Sequence, residues 1–232
     1  MSTFKRVTKE CAICGKKYEA TEIMSSNCFG SRDLDNRPPQ MMRSTLCYQV
    51  ELCDDCGYAN TSITWVFSEE TKEIINSPLY RSILLNENIN RLAKAFMLAG
   101  LLHGMHEEYR TSGFLYLKAA WACDDHNDTA NASLSRKKAI TVFNEYFKQE
   151  FSEEQMLYRF EDKEKEDFNL KMIIVDLLRR SESFKEAISL AKELLKSTSD
   201  DLLKKILKFQ IKLSRKEDTS CHRVEEVKKK LF

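Results

Sequence analysis

The sequence predicts a mainly α protein with a small, metal-stapled β region at its N-terminus. Three observations carry that prediction. The 232-residue chain holds only six Gly and three Pro, which disfavours loop-rich all-β architectures and favours helix. Two identically spaced cysteine pairs lie in its first quarter, Cys11-Ala-Ile-Cys14-Gly15 and Cys53-Asp-Asp-Cys56-Gly57. After Ser68 the apolar pattern changes to a helical period and keeps it to the end of the chain. With 42% hydrophobic and 31% charged residues, the chain has enough apolar side chains to bury a core and does not read as disordered.

The cysteine pairs are the most specific chemical signal. A Cys-x-x-Cys turn aims two sulfurs at one ion, and the following Gly supplies a backbone conformation that a Cβ resists. Two such turns provide four thiolates at tetrahedral corners, so Cys11, Cys14, Cys53 and Cys56 are the candidate ligands. Disulfides are the weaker alternative, because Met1–Glu10 shows no apolar signal segment and a cytosolic chain is kept reduced. A redox dithiol is weaker too, since no β-α-β context precedes either pair. Tetrahedral sulfur suits zinc or iron. Cys-x-x-Cys-Gly on both sides resembles rubredoxins, which hold a single iron, but the chain is much longer than an electron carrier needs, so Zn²⁺ is preferred and iron is the alternative. Four thiolates close the tetrahedron, which marks a structural rather than a catalytic site. Cys28, Cys47, Cys123 and Cys221 are read as small buried apolar residues.

Residues 1–66 form the expected metal-binding, zinc-ribbon-like domain and 67–232 the helical domain. Ser44–Leu52 alternates, with Leu46, Tyr48, Val50 and Leu52 on one face, and predicts a half-buried strand leading into the second pair. Lys16–Ile23 is its expected hairpin partner. Ser25–Gln40 reads as loop, and Ser62–Phe67 as a closing strand or the lead into helix. Ser68 is the expected cap of a first helix carrying Glu69 and Glu70, ended by Asn76. Ser77-Pro78 then starts the next helix. Further helices are predicted over Asn88–His106, Tyr109–Cys123, Asn131–Phe151, Phe168–Arg180, Phe184–Leu195 and Asp201–Leu213. Very short turns between them, and small residues at Ala99-Gly100, Gly113, Ala120 and Ala187, suggest a tetratricopeptide-like repeat, with an ordinary antiparallel bundle as the plainer alternative.

Three motifs stand in order: Cys11-x-x-Cys14-Gly-Lys-Lys-Tyr18, Tyr48-Gln-Val-Glu-Leu-Cys-Asp-Asp-Cys-Gly-Tyr-Ala59 and Ser112-Gly-Phe-Leu-Tyr-Leu-Lys-Ala-Ala-Trp-Ala122. This order resembles the uncharacterised bacterial proteins grouped as domain-of-unknown-function family 2225, over roughly residues 9–150. The resemblance implies a bacterial cytosolic protein with a four-cysteine zinc ribbon fused to tetratricopeptide-like helices. It implies no activity.

Other constellations carry less. His103, His106, Cys123 and His126 suggest a second metal site, but a helical hairpin places the two halves a helix length apart. Asp124–Asp128 lacks the Gly and the closing Glu of a calcium loop and reads as a turn, with Asp128 capping the next helix. Glu161–Asp167 reads as a solvated linker or helix start. No phosphate loop, zinc-protease motif or hydrolase elbow is present. Residues 1–65 carry eight basic and eight acidic side chains, and four thiolates add negative charge, so the ribbon is not built for phosphate. The last 31 residues are basic, ten Lys/Arg against four Asp/Glu, which keeps a minor nucleic-acid reading for that tail. The longest uncharged helical stretch, Ala95–His106, is too short to span a membrane. The expected partner is another protein or a peptide. In the repeat register Asp176, Arg179 and Arg180 fall toward a concave face, where two arginines would hold a carboxylate.

Overall fold

The computed structural model describes residues 2–150 and 163–229. The chain divides into two compact units, one of residues 1–29 and 40–143 and the other of residues 30–39 and 144–232. This division does not coincide with the expected boundary at 66/67. The cysteine-bearing hairpins share a unit with the first helices, and ten residues of the presumed ribbon loop belong with the C-terminal helices.

In the first unit, β1 (Thr3–Glu10) pairs antiparallel with β2 (Lys17–Ser25), from Glu10↔Lys17 out to Thr3↔Ser25. A second, two-residue hairpin joins β3 (Glu51–Leu52) to β4 (Ala59–Asn60). Each Cys-x-x-Cys turn is therefore the tip of an antiparallel hairpin. The expected strand over Ser44–Leu52 is corrected. Between α1 (Gln40–Arg43) and β3 the chain makes a 3₁₀ turn at Leu46–Tyr48. The hydroxyls of Ser44 and Thr45 donate to the carbonyls of Met41 (2.8 Å) and Met42 (2.7 Å), holding the backbone in turns that compete with a strand. The partner of β2 is β1, whose pairing is carried by cross-strand polar contacts such as the Thr8 hydroxyl on Glu19 (2.9 Å). Ser62–Phe67 forms turns rather than a strand.

Helices follow. α2 (Thr71–Asn76) starts three residues after Ser68, and its first turn has no side-chain cap, so the cap expected at Ser68 is not made. α3 (Pro78–Leu84) begins as expected, with the Ser77 hydroxyl accepting from the Tyr80 amide at 3.3 Å. α4 (Arg91–Met105) and α5 (Tyr109–Asp125) pack closely and bury Phe96, Leu98, Leu102, Leu117 and Ala120. α6 (Thr129–Lys148) adds Ala139 and Phe143, and Asp128 accepts from the Asn131 amide (3.1 Å) as the expected cap. A Cβ on Gly113 would stand 2.2 Å from the Phe143 ring, so only glycine lets α5 and that ring meet.

The second unit holds α7 (Lys163–Arg180), α8 (Phe184–Ser197), α9 (Asp201–Arg215) and α10 (Val224–Lys229). Its core joins Val175, Ala191, Leu194, Leu207 and Phe209 with Leu34 from segment 30–39. That segment lies against the residues before α10: the Leu34 amide donates to the His222 carbonyl (2.9 Å) and the Val224 amide to the Arg32 carbonyl (2.9 Å). The predicted helix over Asn131–Phe151 and the charge run Glu161–Asp167 each extend partly outside the described residues. Lys163–Asp167 forms the start of α7.

One turn recurs in both units. α4, α5, α7 and α9 are each followed two residues on by a residue with positive φ, Glu107 (59°), Asn127 (57°), Glu182 (67°) and Glu217 (55°). In each, the next amide reaches back to a carbonyl of the last helical turn: Glu108 to His103 (2.9 Å), Asp128 to Cys123 (3.0 Å), Ser183 to Leu178 (2.9 Å) and Asp218 to Leu213 (3.1 Å). These are Schellman closures built on residues other than glycine.

Candidate metal centre

The two hairpin tips have the same backbone geometry. In the first, the Gly15 amide donates to the Cys11 carbonyl (2.8 Å) and the Cys11 amide to the Lys16 carbonyl (2.9 Å). In the second, Gly57 donates to Cys53 (2.9 Å) and Cys53 to Tyr58 (2.8 Å). Gly15 (φ 74°) and Gly57 (φ 80°) take the left-handed conformation that closes each turn. At Gly57 the absence of a side chain also admits Leu84, whose methyl would lie 2.3 Å from a Cβ.

The four sulfurs lie within 4.8 Å of one another. Cys11 Sγ is 3.7 Å from Cys56 Sγ, and Cys14 Sγ is 3.6 Å from Cys53 Sγ. A tetrahedron with metal–sulfur arms of about 2.3 Å has edges of about 3.8 Å, so the thiols stand at the spacing a metal requires. The chemistry around them fits a cationic guest. Main-chain amides of Lys16 and Tyr58 point at the sulfurs of Cys14 and Cys56, favouring the thiolate. The Lys16 amide holds the Cys14 thiol below its ordinary pKa. Burial pushes the Cys11 and Cys56 thiols up, a cost that a cation bound between the sulfurs would offset.

A shell of polar side chains fixes the two tips. Glu51 accepts from Lys9 Nζ (2.6 Å), the Tyr18 hydroxyl (3.0 Å) and the Ile63 amide (2.9 Å). The Ala12 amide within the first tip donates to the Ile63 carbonyl (2.8 Å). Tyr80 of α3 is buried with its hydroxyl on the second tip, donating to the Gly57 carbonyl (2.9 Å) and accepting from the Ala59 amide (3.0 Å). A second chain runs inward. The Tyr58 hydroxyl donates to the Trp65 carbonyl (2.7 Å) and accepts from Asn60 Nδ2 (2.8 Å). Asn60 Oδ1 is thereby the acceptor for His103 Nε2–H at 3.0 Å. Burial pushes His103 down to about 4, His106 adding to the effect, so the imidazole is neutral. Nothing in the sequence marked Glu51, Asn60, Tyr80 or His103 as supports of the centre, because each acts across a long sequence separation.

The remaining site expectations divide. His103, His106, Cys123 and His126 do not converge. His103 bonds Asn60, His106 stacks on Phe67 (4.4 Å between ring centroids), Cys123 is buried, and His126 Nδ1 donates to the Ala122 carbonyl (2.9 Å). Among the described residues the four-cysteine set is the only cluster of three or more potential ligands. Of the four other cysteines only Cys123 is buried. Cys28, Cys47 and Cys221 are exposed, correcting that reading. Asp176, Arg179 and Arg180 are not on an open face, and this too is a correction. Arg179 is 0% exposed and bonds Asp176 (2.7 Å), Gln210 (3.2 Å) and the carbonyls of Asp218 and Ser220. Arg180 pairs with the buried carboxylate of Asp35 at 3.2 Å. These side chains are internal ties of the second unit.

A family model described as an uncharacterised protein conserved in bacteria (DUF2225) matches residues 4–217. The chain belongs to that family. No curated protein and no solved structure matches it. No helix among the described residues is long and apolar enough to cross a membrane.

Proposed function

We propose that Cys11, Cys14, Cys53 and Cys56 hold one structural Zn²⁺, and that the protein is a cytosolic interaction module binding another protein or a peptide beside tetratricopeptide-like helix pairs. The closure of the thiol cluster carries the reading. Four sulfurs at tetrahedral spacing leave no coordination position for water or substrate, which is the signature of a staple. When bound, the ion supplies charge compensation and rigidity, and the chain's own residues do the rest. Tyr80, Glu51 and Asn60 lock the hairpin tips to their neighbours, so the staple stiffens the whole first unit.

The test has two arms. Anaerobically purified protein is expected to carry one zinc per chain and no colour. Iron with thiolate charge-transfer absorbance would instead favour a rubredoxin-like redox site, a reading supported by the matched Cys-x-x-Cys-Gly tips and their amide–sulfur contacts. For the interaction arm, selection from a random heptapeptide phage library on the metal-loaded chain is expected to yield a consensus. Failure to enrich any sequence would count against an interaction module.

A further inference from the structure

We propose that the outer edge of β2, with the groove beside it, docks an extended, cation-bearing peptide segment of a partner protein as a third strand. This rests on the interaction-module reading and assigns its site. The sheet of β1 and β2 has only two strands, and the outer edge of β2 has no backbone partner among the described residues. Such an edge is a template for another strand.

The groove fixes where the strand would lie. A cavity of about 610 Å³ is lined by four consecutive residues of β2, Tyr18, Glu19, Ala20 and Thr21. Side chains of a strand alternate between faces, so a cavity touching four in a row meets the strand at its edge. Tyr48, Val50, Leu92 and Ala95 add apolar lining beside Asn90, Arg91 and His126, a mixed surface for side chains of an added strand.

Charge selects the occupant. Two of the three carboxylates lining the groove are neutralised locally, Glu51 by Lys9 (2.6 Å) and Asp54 by Arg91 (2.5 Å). Among the described residues Glu19 has only the Thr8 hydroxyl as a polar partner (2.9 Å). Asp54 belongs to the second hairpin tip, so the thiol cluster adjoins the groove. The groove is thus lined by three carboxylates against one permanent cation, Arg91, a balance that favours lysine or arginine in the occupant. The edge strand β1 carries Lys5 and Arg6, which would repel the same cationic strand from the other side of the sheet.

The test uses the metal-loaded full chain and a fluorescein-labelled copy of the most enriched heptapeptide from the phage selection. Enriched sequences are expected to alternate Lys or Arg with β-branched residues. Saturation with the peptide is expected to slow hydrogen exchange at amides of residues 18–22. Glu19→Lys is expected to weaken binding at least tenfold, and Glu19→Gln less, with metal content unchanged in both. Peptides that bind without new protection in β2 and with equal affinity for Glu19→Lys would overturn the β2 site and leave the module reading standing. No enriched peptide at all would overturn both. Dimerisation of the free chain through β2, abolished by Glu19→Lys, would replace the partner with a second copy and overturn the proposal.

Discussion

The first unit ties its irregular segments to its helices through groups that converge on the hairpin tips. Four thiols gather at one point, and Tyr80, Glu51 and Asn60 bond the tips to the structure around them. The second unit ties segment 30–39 and the 218–224 turn to α7 through its own guanidinium groups, with Arg179 on Asp176 and two carbonyls, and Arg180 on Asp35. Both converge polar groups on irregular segments of the chain. They differ in where the positive charge comes from. The second unit carries its cations covalently. The first has four crowded thiols, and burial opposes the ionisation of Cys11 and Cys56, so under the proposed function its cation comes from outside. The metal dependence of the protein should therefore be confined to the first unit.

Cys53→Ser should break that contrast most severely. It is expected to abolish stoichiometric metal binding and to remove much of the stabilisation of the first unit, where structural zinc contributes on the order of 10 kcal/mol in small domains. Hydrogen exchange should accelerate around both hairpin tips while amides of α8 and α9 keep their protection. The counterpart in the second unit is Arg179→Met. It leaves Asp176 buried without its guanidinium and should cost about 3–5 kcal/mol, read as a lowered melting transition for α7–α9 with metal content intact. Equal loss of both units in either variant would show that the ties are not separate.

A pH titration sharpens the comparison within the first unit. His103 is neutral when folded, with a pKa lowered to about 4, whereas an unfolded histidine protonates near 6.5. The unfolded chain binds the extra proton between those values. The stabilisation is thus complete above pH 6.5 and is lost as pH falls toward 4, by at most about 3 kcal/mol. His103→Gln should flatten that part of the stability profile. The smallest expected effect is common to both units. Glu107→Gly and Glu182→Gly relieve a left-handed non-glycine residue, and each should stabilise by up to about 1 kcal/mol. Denaturant midpoints that fell instead would mean that the two glutamates make contacts worth more than the backbone strain.

The ligands are readable because Cys-x-x-Cys-Gly is a local pattern and the backbone turn needs nothing else. Most helices are readable from their period, and α3, α5 and α8 begin where expected. Their C-termini are harder to read, since Glu rather than Gly takes the left-handed position at Glu107, Glu182 and Glu217. β1 has few apolar residues and pairs through polar partners, so no alternation marks it. Conversely, the alternation at 44–52 is real, but side-chain hydroxyls turn the backbone there. The buried ties of the second unit were hidden because Asp35 and Arg180 are 145 positions apart, and charged residues in a helix or a Pro-rich stretch ordinarily face water.

X-ray absorption at the metal edge of the native protein reports the ligand set of the four-cysteine site. The expected result is one ion per chain with four sulfur neighbours at about 2.3 Å and no coordinated nitrogen or oxygen, and no such signal from Cys53→Ser. A first shell with fewer than four sulfurs, or an unchanged spectrum and stoichiometry in Cys53→Ser, would contradict it.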